Sequence, residues 1–145
     1  MISKNEVKSD EIGQIHDLVL SIRHVIMDNL SRFEEVKETE DIIESRFMST
    51  EKAMEEGYIS CGIVTNIATE ILRKKGFSVK KVHGYTDTTP THAWISVENP
   101  ITKEWEDYDL EQKDCTITEN HVELARCDDW EEIRSLIETE KGKYH

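Results

Sequence analysis

Hydrophobic and polar positions follow a helical period through the first half of the chain. Within residues 9–30 the apolar positions are separated by three or four residues: Ile12, Ile15, Val19, Ile22 and Ile26. This spacing predicts an amphipathic helix whose apolar face packs on a core. Ser9 or Asp10 is a suitable residue to cap its first turn.

A second helical segment covers residues 39–57 and contains a start signal of its own. Ser49 and Thr50 precede Glu51, and a hydroxyl residue shortly before a glutamate favours a helix N-terminus. Gly57 is suited to the left-handed residue that ends a helix. The pattern therefore predicts either one bent helix or two short helices in this segment.

The helix with the broadest apolar stripe is predicted over residues 61–75. Its apolar positions fall on one face and beside it: Val64, Ala68, Ile71, Leu72, Ile63 and Ile67. A stripe of this width is typical of a helix buried centrally in a domain. Ser60 is a good N-cap, and Gly76 follows a cationic last turn as the left-handed residue past the end. Cys61 then lies in the first turn.

After residue 76 the period of the apolar positions changes to two, which predicts three strands. These strands contain the stretches "FSVKKVHGYT", "THAWISVE" and "KEWEDYDL". A last helix is expected after Asp128 or Asp129. Its buried positions are Trp130, Ile133 and either Leu136 or Ile137. Helices, then strands, then a helix indicate an α+β fold with an antiparallel sheet.

Composition and charge narrow the classes of function. The 145 residues suit one domain with its own core. The formal net charge of −13 argues against nucleic-acid binding, because an acidic surface repels phosphate backbones. No apolar stretch approaches the ~20 residues of a membrane span, and the first residues lack the apolar run of a secretory signal. We therefore expect a cytoplasmic protein with no membrane partner.

The three cysteines are Cys61, Cys115 and Cys127, with no C-x-x-C pair, so neither a disulfide framework nor a zinc site is indicated. Cys61 differs from the other two because it lies at a helix start. Free N–H groups and the positive end of the helix dipole favour a thiolate there. Gly62 is expected to leave room for a substrate close to the backbone. The alternative is that Cys61 is a small apolar core residue.

A histidine and an acid are available to activate such a thiol. His92 begins the second predicted strand, and Asp109 lies near the end of the third. If residues 99–102 form a four-residue turn, the hairpin sets His92 directly opposite Asp109, with Cβ atoms ~4.5–5.5 Å apart. Asp109 can then accept the Nδ1–H of His92 and orient its ring. A bulge at Lys103 would slip this register by one residue, and Asp107 is the alternative acid on the same face.

These motifs together resemble the transglutaminase-like superfamily, whose core is papain-like. The resemblance covers residues 57–110 and rests on "SCGIVTNIATEILRKKGFSVKKVHGY", "THAWISV" and "EWEDYDL", in that order. It implies that Cys61, His92 and Asp109 form a catalytic triad. The chain departs from the family pattern after the acid, where "D-L-E" replaces the usual "D-P-T".

On this interpretation the whole chain, residues 1–145, is a single transglutaminase-like domain. The core takes up residues 57–110, and helices within 9–56 and 128–141 flank it. The chain lacks the added domains of animal transglutaminases. It also lacks the zinc-binding cysteine pairs of the related peptide N-glycanases.

The resemblance implies cysteine-dependent acyl transfer with no metal and no organic cofactor. We expect amide hydrolysis in a peptide or protein substrate, as a cysteine protease performs it. The alternative is a protein-glutamine transglutaminase or deamidase. In the first, an amine takes the acyl group of a glutamine side chain, and in the second, water does. A non-catalytic binding module on the same fold and an arylamine acetyltransferase are further alternatives.

Four aromatic residues are candidates for contact with the substrate. Tyr85, Trp94 and Trp105 are expected to line the cleft, although core packing is the expected role of at least one of them. Tyr58 is a candidate for the second donor to the oxyanion, beside the backbone N–H of Cys61.

Overall fold

The computed structural model describes residues 4–30, 32–36 and 39–143. Its helices are α1 (Lys4–Leu30), α2 (Thr39–Ser45), α3 (Thr50–Glu56), α4 (Cys61–Lys74) and α5 (Arg134–Lys143), the last preceded by a 3-10 turn at Trp130–Ile133. Its strands are β1 (Glu34–Glu35), β2 (Tyr58–Ile59), β3 (Val79–Tyr85), β4 (His92–Glu98), β5 (Trp105–Tyr108) and β6 (Val122–Cys127). The predicted α+β class is confirmed, with helices before and after an antiparallel sheet.

Helix α1 begins at Lys4, ahead of the predicted start, because residues 4–8 contain no proline or glycine that would end it. Ser9 and Asp10 therefore lie inside the helix and do not cap it. The buried positions of α1 keep the predicted period: Ile15, Val19, Ile22, Ile26 and Leu30. The side chain of Ile12 lies outside the part of the chain that the structure describes.

Residues 39–57 form two short helices, as one of the two alternatives predicted. Ser49 caps α3 by accepting a hydrogen bond from the backbone N–H of Lys52 at 3.1 Å. Gly57 ends it in the left-handed region, with φ of 76°. The break between α2 and α3 leaves Arg46 in a turn, and its side chain enters the core with only 2% of the residue exposed.

Helix α4 has the caps that the sequence predicts. Ser60 accepts the backbone N–H of Ile63 on its hydroxyl at 3.2 Å, and Gly76 has a φ of 97° just past the last turn. Nine residues of α4 are buried, which agrees with its broad apolar stripe. Because the N-cap is defined, Cys61 is the first residue of the helix.

The four-stranded sheet has the order β5-β4-β3-β6, and all of its neighbouring pairs are antiparallel. Three of these strands match the predicted ones. Strand β6 is not predicted, because its side chains are mostly exposed at a sheet edge and lack the buried alternation that identifies the others. A separate parallel pair sets β1 against β2, immediately before α4.

The β4–β5 hairpin has a different register from the predicted one. Ser96 lies opposite Asp107 and Glu98 lies opposite Trp105, so every pair is displaced by two residues along β5. The prediction that His92 pairs directly with Asp109 is therefore wrong. Because side chains alternate with a period of two, a displacement of two residues keeps the same side chains on the same face.

The cause of this displacement is the conformation of the connecting loop. Asn99 still belongs to the ladder, donating its N–H to the carbonyl of Glu104 at 2.8 Å. Its side-chain oxygen accepts the backbone N–H groups of Ile101 and Thr102, at 2.9 and 3.1 Å. Lys103 takes a φ of 67°. The four-residue loop thus begins one residue later than predicted, which shifts each pair by two.

The helices and the C-terminal segment cover one face of the sheet in two apolar clusters. Alternate residues of β4 point to this face and belong to one cluster or the other. Ile95 and Val97 pack with α1 and α4 in the first cluster, and Ala93 packs in the second with Cys61, Cys127, Trp130 and Ile137. Asp129 caps the 3-10 turn, and Ile137 rather than Leu136 is the buried member of the predicted pair. Cys61 therefore lies where the second cluster meets the end of the sheet.

Candidate active site

Three chain segments bring the predicted triad together at one end of the sheet. Cys61 is the first residue of α4, His92 is the first residue of β4, and Asp109 comes directly after β5. All three are buried, with 6%, 3% and 0% of the residue exposed. The start of α4 is held in place by a hydrogen bond of 2.6 Å between the hydroxyls of Ser60 and Ser45.

His92 contacts Asp109 through Nε2, at 2.7 Å from Oδ2. The prediction that Asp109 accepts the Nδ1–H of His92 is therefore wrong. Since the register is displaced by two residues, Asp109 approaches the ring from beyond the end of β5 rather than from directly across the ladder. The other ring nitrogen, Nδ1, is buried and has no hydrogen-bond partner among the described residues, and the charge of Cys61 acts on the ring.

The surroundings of His92 favour its protonated form. Burial by itself lowers the pKa of His92, but the hydrogen bond to Asp109 and the charges of Asp109 and Cys61 raise it to about 10. The pKa of Asp109 is lowered, because hydrogen bonds from His92 and His121 outweigh the opposing effect of burial. At neutral pH the site therefore contains an imidazolium beside the Cys61 sulfur.

His121 is a fourth member of the site, and it is not among the residues predicted from the sequence. Its Nε2 lies 2.7 Å from Oδ2 of Asp109, the same oxygen that His92 contacts. Its Nδ1 lies 3.1 Å from the backbone nitrogen of Thr118. A backbone N–H can only donate, so Nδ1 accepts and Nε2 carries the proton. The neutral His121 ring is thus a donor to Asp109.

The carboxylate of Asp109 uses both oxygens. Oδ2 accepts from the two histidine rings, and Oδ1 accepts the backbone N–H of Glu111 at 3.0 Å. Nothing in the local sequence indicates the contact with His121, which comes from the loop between β5 and β6. The one signal in the sequence is that a second histidine follows the acid, 12 residues later.

The same three side chains form the one group of potential metal ligands found among the described residues. The ligand atoms of His92, Asp109 and His121 lie within 4.8 Å of one another. Coordination through His121 Nε2 would need a lone pair there, and the proton would move to Nδ1, facing the N–H of Thr118. That N–H would then face a second donor, and among the described residues only the hydroxyl of Thr118, 3.0 Å from Nδ1, could accept the proton. This arrangement fits a hydrogen-bonded His–Asp–His cluster better than a metal site.

Arg46 also lies at the site, and no pattern in the sequence indicates it. Its guanidinium donates to Nδ1 of His83 at 2.5 Å, to the hydroxyl of Thr91 at 3.1 Å and to the carbonyl of His92 at 2.9 Å. It stacks 4.8 Å from the ring centre of Trp130. Burial lowers the pKa of Arg46, and the adjacent Cys61 opposes that effect.

Two of the predicted substrate residues are buried rather than facing a cleft. A Cβ on Gly62 would lie 2.6 Å from Cγ of Arg46, so the space beside this glycine is occupied by the arginine. Trp94 is 2% exposed and donates from Nε1 to Asp107 at 3.1 Å. Its ring packs edge-on against His121, with centroids 5.2 Å apart, so it is a wall of the histidine cluster.

The other three aromatic candidates are partly exposed, at 37–38%. Tyr85 ends β3 beside the residue that pairs with His92. Tyr58 lies in β2, just before α4, and lines a cavity of about 440 Å³. Trp105 lies opposite Glu98, six positions along β4 from His92, which is roughly 20 Å at ~3.3 Å per residue. Trp105 is therefore distant from the triad.

All three cysteines are free thiols. Burial raises the pKa of Cys115 and of Cys127 to about 11 in each case. Among the described residues, neither thiol has a histidine partner comparable to His92. Glu111, which stands in the departure from the family pattern, has a carboxylate oxygen 3.9 Å from Nδ1 of His92. It is therefore a second acid at the site, on the side of the ring that faces Cys61.

No protein-family model, no curated protein and no solved structure matches the chain. Within the described residues, every helix is too short or too polar to cross a bilayer.

Proposed function

We propose that the protein is a cysteine-dependent acyl-transfer enzyme of the transglutaminase-like type that hydrolyses amide bonds. The observation that carries this proposal is the position of His92. One nitrogen of its ring contacts a fully buried carboxylate at 2.7 Å, and the other is left for a cysteine at a helix start. Such an arrangement activates a thiol in cysteine hydrolases.

The architecture supports the same proposal. In a papain-like core the nucleophile begins a central helix that packs on an antiparallel sheet, and the histidine and acid come from neighbouring strands. Here α4, β4 and the end of β5 supply Cys61, His92 and Asp109 in that order along the chain. We propose a papain-like fold for the chain on the same grounds.

The first half of the reaction forms a thioester. The Cys61 sulfur attacks the carbonyl carbon of the substrate amide, and the carbonyl oxygen takes up the negative charge of a tetrahedral intermediate. The C–N bond then breaks as His92 gives the proton on Nδ1 to the leaving amine. Asp109 holds the ring through Nε2 in the orientation for this transfer.

The start of α4 supplies donors for the oxyanion. Ser60 accepts the N–H of Ile63 on its hydroxyl and that of Val64 on its carbonyl. The N–H of Cys61 precedes the first intrahelical hydrogen bond and is the proposed donor. Tyr58, three residues earlier, is the proposed second donor. Removal of one oxyanion donor typically lowers kcat by ~10²–10³.

The second half of the reaction consumes the thioester. Neutral His92 takes a proton from water, the hydroxyl attacks the acyl carbon, and the C–S bond breaks to release the acid and restore the thiolate. If a primary amine attacks in place of water, the product is a new amide. That outcome is the transglutaminase alternative, and attack of water on a glutamine acyl group is the deamidase alternative.

The cavity beside the site favours basic substrates. It is lined by Glu34, Glu35, Asp41 and Glu44 together with Tyr58, and it borders Ser45, whose hydroxyl bonds to the N-cap of α4. The whole chain adds a net charge of −13. Lysine- or arginine-containing peptides should therefore be attracted to this side of the molecule, and salt should weaken the preference.

The proposal is tested with a peptide library incubated with wild type and with Cys61→Ala, with and without an excess of a primary amine. New peptide termini, richest in basic sequences and absent with Cys61→Ala, are the expected result. Cys115→Ala is the matched control, because it removes a second buried thiol that has no histidine partner, and it should retain the activity.

Other results of that experiment decide between the alternatives. Amine adducts on glutamine without cleavage would replace hydrolysis by the transglutaminase reaction. Conversion of glutamine to glutamate would indicate the deamidase. No reaction of any peptide, combined with Cys61 no more reactive than Cys115 toward iodoacetamide, would refute the enzyme and favour the binding module.

A further inference from the structure

We infer that Arg46 is a second cation of the nucleophile: its guanidinium Nε–H and the His92 imidazolium share the Cys61 thiolate as their anion. This inference rests on the proposed role of Cys61. It begins from three buried polar atoms that have no hydrogen-bond partner among the described residues: Arg46 Nε, His83 Nε2 and His92 Nδ1. Two of the three belong to side chains that contact Cys61.

Arg46 is held by several hydrogen bonds, and its aliphatic stem packs against the first turn of α4. Its two terminal nitrogens are committed to neutral acceptors, namely His83, Thr91 and the carbonyl of His92. Its own carbonyl accepts the side-chain amide of Asn66 at 3.0 Å. The remaining donor, Nε–H, is buried and has no hydrogen-bond partner in the described part of the chain. Arg46 packs against residue 62 in the first turn of α4, and the neighbouring Cys61 is the group that acts on its guanidinium as an anion.

Gly62 is the sequence feature that allows this approach. A Cβ at this position would meet Cγ of Arg46 at 2.6 Å and its Cα at 3.3 Å, both inside normal contact distance. The arginine therefore packs directly on the first turn of α4. The absence of a side chain at residue 62 serves the contact between Arg46 and the nucleophile rather than the entry of substrate.

Charge balance supplies the physical reason. A buried guanidinium that lacks an anion is strongly destabilising, and no carboxylate of the described residues forms an ion pair with Arg46. Asp109 already balances His92. An ionised Cys61 balances Arg46, so that two buried cations face two buried anions. With Cys61 as a neutral thiol, one positive charge in the core would stay uncompensated.

The other ionisable groups near this cluster do not replace the thiolate. Arg46 faces His83 and Cys127. Burial lowers the pKa of His83 to about 3, so its ring is neutral, and burial raises the pKa of Cys127 to about 11. Lys81 adds a positive charge near Cys127, and His92 faces Asp109, Glu111 and Cys61. His121 is a neutral donor to Asp109.

The first experiment measures the rate at which limiting iodoacetamide labels Cys61 between pH 5 and 9. An opposite charge within ~4–6 Å changes the ionised fraction of a group by ~10–10³. Arg46→Met keeps the aliphatic stem and removes the charge, so labelling at pH 6 should fall at least tenfold and recover as the pH rises. Arg46→Lys should retain most of the rate.

Arg134→Met is the matched control. This arginine stacks 3.8 Å from the ring centre of Phe47, next to Arg46 in the chain, but it is paired with Glu131 and Glu138 on the surface. Its substitution should leave the labelling rate unchanged. A folded Arg46→Met protein that labels at the wild-type rate over the whole pH range would overturn the inference.

A second experiment keeps Arg46 in place, so it does not depend on whether an Arg46 variant folds. Cys61→Ala removes the anion, so chloride should bind in its place and raise the melting temperature by several degrees over fluoride at equal ionic strength. The wild type, which has its own anion, should show no such difference. A Cys61→Ala protein whose melting temperature is indifferent to chloride would overturn the inference.

Neither experiment requires substrate turnover. Slow labelling of Arg46→Met in a protein that cleaves no peptide would support the inference and refute the proposed hydrolysis. Full peptide cleavage by Arg46→Met would refute the inference and leave the proposed hydrolysis intact.

Discussion

Replacement of Asp109 by asparagine is the sharpest test of how the site is held together. Asp109 is completely buried and accepts three N–H groups: Nε2 of His92 and Nε2 of His121 on one oxygen, and the N–H of Glu111 on the other. Asparagine has one acceptor oxygen and one NH₂ group. In either orientation, at least one donor would face another donor.

The expected loss follows from these contacts. A hydrogen bond to a charged group contributes about 1.5–3 kcal/mol, and removal of one partner of a buried ion pair costs about 3–5 kcal/mol. Asp109→Asn should therefore lower the free energy of unfolding by about 3–5 kcal/mol. The pKa of His92 should fall from about 10, because burial lowers it and the opposing carboxylate is gone. Labelling of Cys61 at pH 6 should slow in consequence.

Three measurements check the prediction: urea unfolding followed by circular dichroism, NMR titration of the His92 ring, and the rate of iodoacetamide labelling. Asp107→Asn is the matched control, two residues earlier and within β5. Asp107 accepts Nε1 of Trp94 at 3.1 Å and contacts Arg126 at 3.4 Å, and it touches neither histidine. The Asp107→Asn substitution should lower the free energy of unfolding by only about 1 kcal/mol. An unchanged His92 titration in Asp109→Asn, or a larger effect of Asp107→Asn, would refute the reasoning.

Three further predictions concern the same region. His121→Phe should lower the free energy of unfolding by about 1.5–3 kcal/mol, because it removes the hydrogen bond from His121 to Asp109. Zinc should not raise the melting temperature of the wild type, since Nε2 of His121 carries a proton. Gly62→Ala should destabilise by about 1–3 kcal/mol in urea unfolding, because the clash with Arg46 exceeds the helix-propensity gain of up to ~1 kcal/mol. The free energy of unfolding should fall as the pH rises from 6.5 to about 8.5, since folded His92, with its pKa raised to about 10, keeps a proton that the unfolded chain releases, and a His92→Gln variant should lack this slope. Above this range the buried thiols of Cys115 and Cys127 contribute a fall of the same sign in both proteins.

Elements whose signals are local could be predicted from the sequence. Ser49, Gly57, Ser60 and Gly76 mark helix ends in the structure because a cap depends on a few neighbouring backbone groups. The periods of three to four and of two placed α4, β3, β4 and β5 for the same reason. Such signals were enough to put a cysteine at a helix start, and to put His92 and an acid at one end of a hairpin.

The hairpin register shows where local reasoning stops. A proline in the second position of a turn fits the predicted loop, but Asn99 instead binds two N–H groups and Lys103 takes the left-handed conformation. That choice moved every pair by two residues and changed which nitrogen of His92 meets Asp109. Because the displacement is even, the faces stayed the same and the pairing of histidine with acid survived.

The residues around the triad were decided by tertiary structure alone. Arg46 and His121 lie far along the chain from the partners that give them a role, at separations of 46 residues from His92 and 12 from Asp109. Neither belongs to a periodic pattern. A buried charge or donor is stable only when distant groups satisfy it, so its place depends on the packing of the whole domain. The sequence by itself indicated a cysteine at a helix start and a histidine with an acid at one end of a hairpin. The fold decided which of their atoms meet and what else surrounds them.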